Sequence, residues 1–129
     1  MQAFLYIELT THITYRKPLP EQVKQQLPEV AVLDIDAESD ELIQHYALRL
    51  LRESDQAVVC IKADATAPGL GKAMALLEEL FEEKAGRLVL LLGEHSRLQR
   101  MFQARPHVQL RQVGEEEVLE EVKRFLGEF

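Results

Sequence analysis

The 129 residues suit one domain, and with 47% apolar residues the chain can bury a sizeable core, roughly two-thirds of the surface it exposes when unfolded. A net charge of −7 disfavours non-specific nucleic-acid binding and anionic membrane surfaces, so neither partner is expected. Cys60 is the one cysteine, so no intramolecular disulfide can form, as suits a reducing compartment.

The opening Met1-Gln2-Ala3-Phe4 lacks a basic segment of the signal-peptide kind, and no apolar run is long enough to span a bilayer. A cytoplasmic protein is the expectation. The first apolar run, Ala3–Leu9, reads as a strand covered on both faces. A polar stretch follows, Thr10-Thr11-His12-Ile13-Thr14-Tyr15-Arg16-Lys17. Pro18 and Pro20 then introduce a short helix over Glu21–Leu27, with Val23 and Leu27 inward, which Pro28 ends.

The second strand, Val30–Ile35, carries Asp34 and reads as less buried. Residues 36–40 offer several helix caps, and a helix spans Glu41–Glu53. Leu42, Ile43, Tyr46, Ala47, Leu50 and Leu51 give it a broad apolar face. The third strand, Ala57–Ile61, reads as central. After it comes a loop, Lys62–Gly71, and a helix over Lys72–Lys84 with Met74, Leu77, Leu80 and Phe81 inward and Gly86 as its closing residue.

Leu88–Leu92 is the most apolar strand. Gly93-Glu94-His95-Ser96 leads into a short helix with Leu98, Met101 and Phe102 inward. Val108–Val113 is half apolar, as an edge strand would be. The last helix repeats Val118, Leu119, Val122, Phe125, Leu126 and Phe129, with Glu115–Glu117 at its start and Lys123 and Arg124 near its end. The whole pattern is five strand–helix units in one domain, residues 1–129. It predicts a three-layer α/β/α sandwich around a five-stranded parallel sheet. Strands one, three and four are the most apolar, which predicts the order 2-1-3-4-5. Right-handed crossovers put helices one and five on one face and helices two, three and four on the other. That order resembles the flavodoxin-like domains, and it places a switch point between strands one and three.

Above this point the loops gather Thr10, Thr11, His12, Arg16 and Lys17 after strand one with Asp64, Gly69, Gly71 and Lys72 after strand three. Hydroxyls, two cations and glycines at a helix start suit a small anionic ligand or a nucleotide. The phosphate-binding P-loop pattern is incomplete, since Thr66 stands at its first glycine and Ala73 at its hydroxyl. His12 and His95 have no spacing that completes a metal site, so no metal and no cofactor is expected. His45 and His107 read as surface residues. Glu8 and Glu94 are the glutamates placed to enter the crevice.

Asp64 with Pro68-Gly69 beyond it resembles the phosphoacceptor region of response-regulator receiver domains. Thr10-Thr11-His12 stands where those domains carry an acidic pair for Mg²⁺, and Val113-Gly114 near their lysine, which implies a degenerate receiver. Leu51–Val59 is similar to the helix-to-strand passage of Toll/interleukin-receptor-like (TIR) and nucleoside deoxyribosyltransferase-like domains. The glutamate of that group would stand near Gly71-Lys72-Ala73-Met74, and the first acids here are Glu78 and Glu79. These resemblances imply signalling or degenerate nucleoside or phosphoryl chemistry. The expectation is a non-enzymatic module acting by contact with a protein partner, with a homodimer among its forms. Ligand binding at the switch point and a degenerate enzyme are the alternatives.

Overall fold

A computed structural model describes residues 1–9, 18–36, 40–63, 74–82 and 85–127. Five strands, β1 (Gln2–Glu8), β2 (Ala31–Asp36), β3 (Gln56–Lys62), β4 (Arg87–Leu92) and β5 (Gln109–Gln112), form one parallel sheet in the order β2-β1-β3-β4-β5. This is the flavodoxin-like order anticipated from the apolar gradient. β1, β3 and β4 are buried almost throughout, while β2 and β5 keep half-buried and exposed positions, as edge strands do.

Five helices cover the sheet: α1 (Pro18–Gln26), α2 (Glu41–Glu53), α3 (Met74–Leu80), α4 (Ser96–Gln103) and α5 (Glu115–Leu126). Side chains alternate across the pleat, so each strand feeds two cores. Leu5, Ile7, Val59, Ile61, Val89 and Leu91 pack under α2, α3 and α4. Phe4, Tyr6, Val58, Cys60, Leu88 and Leu90 pack under α1 and α5. No described helix is long and apolar enough to cross a membrane.

Four local expectations need correction. α1 begins at Pro18 rather than Glu21, because two prolines in a first turn cost no hydrogen bond; Leu19 and Pro20 join Val23 in the buried set. α3 buries Leu76 with Leu77 and Leu80, leaving Met74 and Phe81 at the margin. Gly86 does not close α3. It sits six residues beyond Leu80 with a φ of +81°, and a Cβ there would lie 2.3 Å from the Asp55 carbonyl oxygen. The fourth is α2, whose bounds match the expectation while its orientation does not. Ala47, Leu50 and Leu51 are buried, but Leu42, Ile43 and Tyr46 look outward.

Gly86 belongs to a knot at the amino edge of the sheet. Arg87, only 5% exposed, fans its guanidinium over backbone carbonyls. Nη2 donates to Leu51 O at 2.7 Å and Ser54 O at 3.0 Å, and Nη1 to Gly86 O at 3.1 Å and Asp55 O at 3.5 Å. Leu51 and Ser54 lie at the end of α2, where carbonyls lack helical partners and a cation meets the negative end of the helix dipole. Burial pulls the Arg87 guanidinium below its ordinary value, and the nearby Glu79 and Asp55 oppose that. The Met1 ammonium adds an ion pair to Asp55 at 2.7 Å. Replacing Arg87 with Met keeps the stem but strands these carbonyls. We expect a loss of about 3 kcal/mol in urea unfolding, with Arg87→Lys losing less.

Candidate functional site

The carboxyl edge of the sheet is where such folds place ligands. β1 ends on Glu8 and β3 on Lys62, which are neighbours in register and point to the α1–α5 side. Glu8 is 1% exposed, so it is part of the interior rather than of an open rim. Lys62 Nζ lies 3.4 Å from Glu115 Oε1 in the first turn of α5. β4 is followed by Gly93, whose φ of +92° lets it approach Ala63 so closely that a Cβ would meet the Ala63 oxygen at 2.1 Å. Gln112 Nε2 donates to Gly93 O at 2.9 Å and closes the β5 side.

Between these ends lies a depression of about 320 Å³ lined by Lys62, Ala63, Leu92, Gly93, Val113, Gly114 and Glu115. Its walls are mainly aliphatic and backbone groups. The start of α5 faces it, but Glu115, Glu116 and Glu117 already supply negative charge to that helix end. Among the described residues lining it, Lys62 already faces the Glu115 carboxylate. Behind them, burial holds the Tyr6 phenol well above its ordinary value, and Cys60, Glu8, Glu115 and Asp34 push the same way. Burial raises the Cys60 thiol too, with Glu115 adding to it.

The residues expected to bind a ligand, Thr10, Thr11, His12, Arg16, Lys17, Asp64, Gly69, Gly71 and Lys72, lie outside the described residues. Their placement at one crevice rests on the strand order alone. His95 caps α4: its Nδ1 accepts the Leu98 N–H at 3.2 Å, so that nitrogen is already committed. His107, expected at the surface, is half-buried with Nε2 3.2 Å from Leu80 O, whereas His45 is exposed as anticipated. Glu94 is exposed and borders a depression of about 190 Å³ with His95, Ser96, Arg97 and Gln99. Among the described residues no group of three His, Cys, Asp or Glu side chains comes together in a way that could hold a metal.

A further feature lies on α2, whose apolar arc is wider than one sheet contact needs. Four large apolar side chains are exposed among the described residues: Leu42 at 76%, Tyr46 at 58%, Met1 at 52% and Ile43 at 38%. Three are on α2, and the fourth, Met1, lines a depression of about 280 Å³ with Tyr46, Arg49, Leu50 and Glu53. Apolar groups scattered singly over a surface need no explanation, whereas a contiguous group does. This is the surplus that the width of the apolar arc on α2 leads one to expect.

No protein-family model matches the chain, and no curated protein or solved structure matches it significantly.

Two buried groups give direct tests of this edge. A thiol held neutral and enclosed is a poor nucleophile, so Cys60 should resist iodoacetamide in native protein at pH 8 and react once urea unfolds the chain. Tyr6 has a folded-state pKa above its ordinary value of 10.0, so its contribution to stability is complete below that pH and is lost as pH rises beyond it. A falling urea midpoint above pH 10, absent in Tyr6→Phe, is the expected record.

Proposed function

We propose that this protein is a non-enzymatic module that works through contact with another protein, and that the outer face of α2 is its working surface. The observation that carries this reading is the concentration of Leu42, Ile43, Tyr46 and Met1 on one side of the molecule. Leaving such groups in water stabilises nothing, and covering them releases roughly 25 cal/mol per Å². The carboxyl edge supports the same reading by its chemistry. Among the described residues of that edge, Glu8 is buried, Lys62 faces Glu115 and the α5 terminus carries its own acids, so those residues form no nucleophile–base pair.

Two outcomes check this. Tyr46→Glu should change folding stability by no more than about 0.5 kcal/mol, since the face does no folding work; a loss several times larger would show that the face belongs to the core. A thermal-shift screen with nucleotides and phosphorylated metabolites should leave Tm unmoved. A ligand present at about 100 times its Kd would add roughly 2.7 kcal/mol. A rise of several degrees, abolished by Lys62→Ala or Lys72→Ala, would replace the contact reading with an anion-binding one.

A further inference from the structure

We infer that the partner received by α2 is a second copy of this chain, packed antiparallel about a two-fold axis; this rests on the contact reading above. Leu42, Tyr46, Arg49 and Glu53 recur at i, i+4, i+7 and i+11, a straight stripe about 16 Å long on one flank of the helix. The other flank is occupied: Arg52 Nε lies 3.0 Å from Glu79 on α3. Within the stripe the amino-terminal half is apolar, and the carboxyl-terminal half is an exposed pair, Arg49 Nε to Glu53 Oε1 at 2.9 Å.

That asymmetry makes the stripe complementary to itself in one direction only. Turned end for end, Tyr46 covers Arg49 of the second copy, a cation over an aromatic ring, and Leu42 covers the methylene stem of its Glu53. The same two contacts recur across the axis, so the interface closes at two chains. A parallel arrangement would instead set Arg49 against Arg49 and Glu53 against Glu53. An unlike partner gives no reason for one helix to carry both halves of the match. The stripe is small beside the roughly 800 Å² per partner of a standard interface, so the dimer should be weak, with a Kd on the order of 10 µM.

Sedimentation equilibrium of the intact chain tests this. The average mass should rise from 14.8 kDa toward twice that value as concentration climbs from about 1 µM to about 500 µM. Leu42→Glu and Tyr46→Glu should stay at the single-chain mass with unchanged unfolding, while Arg97→Glu on α4 should still pair. A short bis-maleimide should join Leu42→Cys chains to Glu53→Cys chains, and not Leu42→Cys chains to one another, whose two copies would lie about 16 Å apart along the helix. Wild type at the single-chain mass throughout, pairing that survives Leu42→Glu, or like-to-like cross-links would each overturn the proposal. Single-chain mass with an unmoved Tm in the ligand screen removes the second copy and leaves the contact reading standing. A ligand-induced rise in Tm removes the reading itself.

Discussion

The guanidinium of Arg87 is the constraint on which the arrangement of α2 depends. It binds the carbonyls of Leu51 and Ser54 at the end of α2, of Asp55 before β3 and of Gly86 before β4. A parallel sheet must bring distant chain segments together at its amino edge, and there helix ends and strand starts both expose carbonyls. One planar cation with five donors satisfies four of them. Gly86 makes room, because any side chain there would strike the Asp55 carbonyl. With its last turn held this way, α2 presents a fixed side to β1 and β2 and a fixed side to solvent.

Much of the architecture was readable from the chain. Strands covered on both faces are continuous apolar runs, and Leu88–Leu92 and Ala57–Ile61 could be nothing else. The polar residues in Val30–Ile35 and Val108–Val113 marked the edges, which set the order once right-handed crossovers were assumed. Arg87 was hidden for a physical reason. A charged residue at the start of a strand resembles a solvated one until the tertiary structure supplies four carbonyls around it. Gly86 misled because a glycine after a helical pattern ordinarily marks its end, and here the close approach of another strand demands it.

The site was less legible. Alternation of side chains in a strand decides face but not depth, so Glu8 could not be told from a rim residue before its 1% exposure was known. His95 had no role assigned from its spacing and serves as a cap, a role that needs the geometry of Leu98 N–H to be seen. On α2 the apolar positions span a wide arc, and periodicity gives the arc's width without saying which part meets the sheet. Ala47 and Leu51 define that part; Leu42 and Tyr46 are what the sheet leaves over. The apolar side chains that α2 leaves exposed, Leu42, Ile43 and Tyr46, are what the proposed contact reading rests on.

The central claim is our proposal that the outer face of α2 receives a second copy of this chain. Amide NMR shifts followed as protein concentration rises test it most directly. The account predicts movement confined to Leu42, Ile43, Tyr46, Arg49, Glu53 and Met1 or its neighbour Gln2, with Gly93, Gly114 and Glu115 unmoved. Shifts centred on the carboxyl edge, or none on α2, would contradict it.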